Sequence, residues 1–238
     1  MVKQSWLAMA LLAAASAGVH ADEPAPAGWK GRADLGFFSQ SGSDGGKESL
    51  TFKGELNRQW GDFALENRAE AISASDDGAG TGTARYLLAS KQRFGLDKDD
   101  YLFTQEQFEK DSTSDHRYQI GLTGGYGRTL LRNDRHVLVG ELGAGARYSK
   151  ARTGGDDETS PIATGALDYR YQVSSTADFH QRLAVEGGSD SNIFRSLSEL
   201  RLKLNDALGV ALGYDARREY SDTNSRLNVT TVSLSYIY

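Results

Sequence analysis

From Trp29 onward, apolar and polar side chains take turns along the chain. Residues 29–40 set Trp29, Gly31, Ala33, Leu35 and Phe37 against Lys30, Arg32 and Asp34. Residues 48–60 set Leu50, Phe52, Gly54 and Leu56 against Thr51, Lys53, Glu55 and Asn57. A period of two belongs to a β-strand with one apolar and one wet face, and no stretch carries a convincing helical period. The alternation continues to the end of the chain. There Thr230, Val232, Leu234, Tyr236 and Tyr238 interleave with Thr231, Ser233 and Ser235, and Ile237 is the one apolar break. It is least clear at residues 101–109, where apolar side chains fall in both phases.

About twelve such segments follow one another. Tight turns such as Gly61-Asp62 alternate with longer Gly/Asp/Ser/Thr stretches, among them SGSDGGK (41–47), DDGAGTGT (76–83) and TGGDDETS (153–160). An even number of strands with alternating short and long connections predicts an all-β fold, a transmembrane up-and-down antiparallel β-barrel of about 12 strands over residues 29–238. Both termini then lie in the periplasm, with the short turns below and the longer loops outside. The first and last strands must pair to remove both edges.

Alternation also suits a soluble sandwich or small barrel with its apolar face inside. Three features turn that face outward. Aromatic residues gather at strand ends: Trp29, Trp60, Phe63, Phe94, Tyr101, Tyr171, Phe179, Tyr236 and Tyr238 near the turns, and Phe37, Phe52, Tyr86, Tyr118, Tyr148 and Phe194 near the loops. That is the pattern of two interfacial girdles. The polar faces carry both charge signs at high density, which suits a wet lumen. The connection asymmetry has no reason in a sandwich.

Composition narrows the compartment. Lys3, the apolar run 6–17 and the small residues around Val19-His20-Ala21 predict a signal peptide at 1–21, followed by a short periplasmic leader at 22–28. The chain has no cysteine, so disulfides, thiolate metal sites and Cys nucleophiles are excluded. A net charge of −5 leaves no basic footprint for nucleic acid. The low mean hydropathy does not argue against a membrane barrel, because lumen-facing positions dilute it.

The richest chemical signal is the set of charges predicted to line the lumen: Arg32, Lys53, Glu55, Glu66, Arg68, Lys91, Arg93, Glu141, Arg147, Arg170, Arg182, Glu186, Glu199, Arg201, Lys203, Asp215 and Arg217, with Lys30 and Glu70 beside them. Two readings stay open: a narrow pore with selective charge rings, or cross-strand ion pairs that fill and close the barrel. A third is an envelope-integrity protein acting through its loops or bilayer contacts. His180 is the one lumen histidine, near Asp168, Arg182 and Glu186, and no motif marks a nucleophile beside it. Hydrolysis is therefore not expected, nor is any catalytic residue, metal or cofactor. The acidic stretches (Asp76-Asp77, Asp156-Asp157-Glu158, Asp190, Asp222) match no calcium-loop spacing.

Several segments together resemble one family: GWKGRADLGFFSQSG, ARYLLASKQRFGLDKDDYLFTQEQFEKD, GLTGGYGRTLLRNDRHVLVGELGAGARYS, SELRLKLNDALGVALGYDARREYSD and the terminal TTVSLSYIY. They are similar to the YdiY-like, salt-induced outer-membrane proteins, a family with a domain of unknown function. Ser41-Gly42-Ser43 stands where the family usually has Ser-Gly-Asn. The resemblance implies an outer-membrane barrel, linked by name to salt stress, and brings no catalytic or ligand residues. The aromatic-ended last strand resembles an assembly signal, with Leu234, Tyr236 and Tyr238 read by the barrel-assembly machinery. Outer-membrane lipid and lipopolysaccharide are the other expected partners.

Overall fold

The computed structural model describes residues 28–42, 45–76, 81–112, 114–152, 156–189, 191–221 and 224–237. The expected signal peptide, the leader up to residue 27, and Tyr238 lie outside these. So do Asp77, Asp190 and Asp222.

Twelve strands follow in order: β1 (Trp29–Gly42), β2 (Gly45–Trp60), β3 (Phe63–Asp76), β4 (Thr81–Gly95), β5 (Asp100–Asp111), β6 (His116–Arg132), β7 (His136–Ala151), β8 (Glu158–Gln172), β9 (Ala177–Gly188), β10 (Asn192–Lys203), β11 (Leu208–Tyr220) and β12 (Ser225–Ile237). Each pairs antiparallel with its chain neighbours. β1 also pairs with β12, from Arg32↔Ile237 to Phe37↔Val232, and closes the barrel. Closure gives the sheet no free side, which is what a sheet in hydrocarbon requires. The strands run from 12 to 17 residues, longer than the roughly 9–11 a tilted strand needs to cross a bilayer.

The surplus length corrects the expected loops. Of the stretch 41–47, residues 41–42 and 45–47 pair in the β1–β2 hairpin, down to Gly42↔Gly45. Thr81 pairs with Asp76, and Glu158 joins β8 opposite Ser149. Backbone pairing does not depend on side-chain polarity, so Gly/Ser/Thr-rich hairpins continue beyond the apolar belt. Pro161, directly after the stretch 153–160, lies inside β8 opposite Ala146. Pairing to β9 begins only at Ile162↔Gly188, so the missing N–H costs no hydrogen bond on that side.

The opposite end has the tight turns. Gly61 takes a positive φ of 56° at the first position of the two-residue β2–β3 turn. At three other turns one side chain caps the backbone. Asp97 Oδ1 accepts from the N–H groups of Asp99 and Asp100, Asn133 Oδ1 from Arg135 and His136, and Asn205 Oδ1 from Ala207 and Leu208, all within 2.8–3.0 Å.

The outer wall is apolar and exposed, as at Leu35, Phe37, Leu88, Leu142, Leu212 and Val232. At the turn end Trp29, Trp60, Phe63 and Phe94 form a chain of ring contacts 5.2–6.2 Å apart, with the Arg58 guanidinium over both tryptophans. At the loop end Phe108 stacks on Tyr118, which meets Tyr148 at a tilt. These are girdles at the two edges of a lipid-facing belt.

One girdle assignment is wrong. Tyr101 is buried inside the barrel and donates to Glu141 Oε1 at 2.7 Å. Phe103 is buried beside it. The glycines of the facing strands make room: a Cβ at Gly127 would collide with the Tyr101 ring, and one at Gly125 with Phe103. Large residues on one strand meet small ones on the next.

Candidate functional site: the charged lumen

Strand parity sends the wet faces inward, and the barrel stacks them in three layers. The layer nearest the loop end is the densest. Its hub is Glu109, which Arg85 Nε meets at 2.8 Å, Arg217 Nε at 2.9 Å and Arg195 from a third direction. Arg217 also pairs with Glu219 at 3.0 Å and Asp111 at 3.6 Å. Arg147 pairs with Glu186 and donates to Ser191 Oγ at 2.8 Å. Arg217 and Glu219 are 1% exposed and Glu109 2%. Ile72, Leu87, Ile193, Leu227 and Val229 fill the gaps with buried apolar side chains. Ions this dry are tolerated because each carboxylate has cations in contact.

The middle layer is looser. Arg32 bridges Asp34 at 2.8 Å and Glu55 at 3.3 Å. Lys53 lies 3.8 Å from Glu199 and 3.9 Å from Asp215, Arg68 is 3.3 Å from Glu70, and Arg201 holds Glu199.

The layer nearest the turns lines a vestibule of about 910 Å³ that reaches the turn residues Gly61, Asp62 and Asp97. Lys91 meets Glu141 at 2.6 Å, Arg93 meets Glu66 at 2.7 Å, and the Arg93 guanidinium lies 3.9 Å over the centre of the Tyr101 ring. Asp168 gathers His180, Arg182 and Arg170 at 3.0–3.2 Å. Arg170 is well exposed at the mouth. Lys203 continues the inward phase of Glu199 and Arg201 at the rim, where it pairs with Asp206 in a turn and shares a small cavity with Arg32, Glu55 and Arg201.

Sixteen of the seventeen charges singled out from sequence thus lie in these interior layers, from Arg147, Glu186 and Arg217 at one end to Arg170 at the other. The hub escaped that reading. Arg85, Glu109, Asp111, Arg195 and Glu219 were not among them; for Glu109 and Asp111 the reason is the phase of β5, masked by Tyr101 and Phe103 turning inward and Glu106 turning outward. The polar run Gln105, Gln107, Glu109, Asp111 was the available signal. His180 is buried with Asp168 Oδ2 as its hydrogen-bonding partner, which orients the ring and supplies no nucleophile. His116 lies 3.7 Å from Glu219 at the outer edge of the hub, and His136 stacks on Tyr171. Among the described residues no group of three or more His, Cys, Asp or Glu could hold a metal ion.

The fold and its interior define a class: a closed twelve-stranded transmembrane barrel of porin-like architecture, whose lumen is charged and largely paired with itself. The chain belongs to the family described as "Protein of unknown function, DUF481", whose profile matches residues 33–238. It is 29% identical over 230 residues to "Uncharacterized protein YdiY" of Escherichia coli K12, covering 90% of this chain and 86% of that one. In fold it is similar to the COG4313 outer membrane channel from Pseudomonas putida F1, with a TM-score of 0.52 and 12% identity over 90% of this chain and 96% of that one. It is also similar to the NanC porin, with a TM-score of 0.51 and 10% identity over 87% and 97%. At these identities the likeness is one of architecture.

Proposed function

We propose that the protein is an outer-membrane barrel that acts as a narrow gated channel for small ions, with its loop end facing outward and its vestibule open to the periplasm. The observation that carries this is the contrast between the two halves of one lumen. A vestibule of about 910 Å³ with accessible charges ends against a layer of ion pairs with almost no exposed surface. The outer layer is a latch: it seals the path at rest, and its parting would leave opposed Arg and Glu faces along a conduit. Export through a cleaved signal peptide and assembly through the last strand belong to the same proposal. The porin-like fold supports it.

A second reading rests on the same dry layer. If the ion pairs never part, the barrel is a closed envelope protein. Planar-bilayer recording separates the two. The gated channel predicts rare, small steps for the wild-type protein and frequent, larger ones when Arg217→Ser and Glu109→Ser are combined. No steps above background in either protein would leave the closed barrel.

A further inference from the structure

The outer wall holds a feature that the lumen does not explain. Between the girdles, outward side chains meet hydrocarbon, yet β4 and β5 place a carboxylate there. Glu106 is exposed and shares the outward phase of Leu102 and Phe108. Only Thr104 and Glu106 lie between those two, which puts the carboxylate inside the lipid-facing belt, one outward position from the Phe108 girdle. Gln92 Nε2 donates to Glu106 Oε2 at 3.1 Å and to Ser90 Oγ at 3.1 Å, and Thr104 Oγ1 donates to Gln92 Oε1 at 2.7 Å. Glu106 therefore has one protein donor among the described residues. The Ser90 hydroxyl, used as an acceptor, keeps its own proton to give. An ionisable group at this depth with unmet hydrogen-bonding capacity marks a contact with something other than lipid tails. A second outward polar group, Gln181 with Ser196 and Ser198, is neutral and closed on itself by bonds of 3.2 and 2.5 Å, so it makes no such demand.

The surroundings of Glu106 are shaped as well as polar. A groove of about 580 Å³ has Ser90 and Glu106 themselves in its lining, reaches Ile120 of β6, and extends on the β2–β3 side to Gly54 and Ala69 between Leu56 and Leu88. On the other side β6 raises Leu122, 57% exposed and directly opposite Glu106 in register. A groove and a ridge thus flank one polar ladder.

We propose that this wall is the interface of a homodimer whose two-fold axis runs along the membrane normal through the Gln92–Glu106 ladder. That operation carries the Leu122 ridge of each copy toward the Gly54–Ala69 groove of the other. It also brings the Ser90 hydroxyl of the second copy, whose proton is unspent, to the open side of Glu106. A surface that carries both its ridge and its groove, and both its acceptor and its donor, is self-complementary, as an isologous contact requires. Acyl chains offer no donor to Glu106. A basic partner is not needed, because a neutral donor is already present in the Ser90 hydroxyl.

The absence of cysteine makes the test direct, since one introduced thiol reports one contact. In native membranes, mild oxidation should cross-link Thr104→Cys into a dimer. Leu212→Cys, comparably exposed on the opposite wall, should stay monomeric. Adding Glu106→Leu and Gln92→Leu to Thr104→Cys should cut the cross-linked fraction at least tenfold, while the heat-modifiable gel shift shows the barrel still folded. Native mass spectrometry from lipid nanodiscs should give twice the chain mass for the unmodified protein. Equal cross-linking at residues 104 and 212, insensitivity to the two leucines, a monomer mass, or a complex with a different protein would each overturn the homodimer.

Discussion

Replacing Arg217 by Met removes the cation that three carboxylates share. Glu109 lies 2.9 Å away, Glu219 3.0 Å and Asp111 3.6 Å. At an effective dielectric constant of about 20, each of the two shorter contacts is a gross attraction of about 6 kcal/mol, offset by several kcal/mol of desolvation per ion. The loss is uneven. Glu109 keeps Arg85 and Arg195, whereas Glu219 is left with His116 at 3.7 Å and the Ser114 hydroxyl. Breaking a buried pair from one side typically costs about 3–5 kcal/mol, and that is the expected destabilisation. Reversible urea unfolding in lipid vesicles, followed by tryptophan emission, measures it. Arg217→Lys should fall between wild type and Met, because a point charge cannot serve three acceptors as a guanidinium fork does. Pairing Arg217→Met with Glu219→Gln should recover part of the loss, with a coupling of about 0.5–3 kcal/mol. A Met variant within about 1 kcal/mol of wild type, or zero coupling, would refute the latch as an energetic unit, since ordinary surface changes already reach about half a kcal/mol.

Other predictions bear on the packing, the turns and assembly. Gly127→Ala should destabilise the barrel by about 1–3 kcal/mol in the same unfolding assay, because its methyl enters the space of the Tyr101 ring. Tyr101→Phe should cost about 1.5–3 kcal/mol through the lost bond to the charged Glu141. The N–H groups of Asp99 and Asp100 hold the Asp97 carboxyl below the usual carboxylate range. The cap should therefore be intact above that range and lost as pH falls through the lowered value, visible as shifts of those two amides in an NMR titration. Tyr236→Ala or deletion of Tyr238 should reduce the assembled, heat-modifiable fraction in cells more than it reduces the stability of refolded protein.

Most of the architecture is legible in the alternation. A period of two over long runs leaves one solution once a face must meet lipid, and the β1–β12 seam follows from closure. Legibility failed where the period was not broken but misleading. Tyr101 and Phe103 carry the apolarity of a lipid face and the parity of a lumen face, because inward glycines at 125 and 127 give them room. Glu106 has the reverse mismatch. No single-strand reading exposes either, since each depends on what the neighbouring strand places opposite. The same limit hid the Glu109 hub, whose three arginines come from β4, β10 and β11. It also hid the hairpin extensions, where polar composition suggested loops and backbone pairing continued. The lumen charges were easier, since a charge on a strand facing lipid costs about 2–4 kcal/mol for Arg or Lys at the midplane and so reports its own direction.

The central claim is a lumen open as far as its middle and sealed beyond it. In this cysteine-free chain it is tested by the rate at which a small charged thiol reagent reaches two inward positions. Ala166 lines the vestibule, and Leu87, 1% exposed, lies in the sealed layer beside Glu109. With both mouths free in detergent, Ala166→Cys should label rapidly and Leu87→Cys at least a hundredfold more slowly, with Arg217→Met narrowing the gap. Comparable rates at the two positions in the otherwise unmodified barrel would contradict a sealed outer layer.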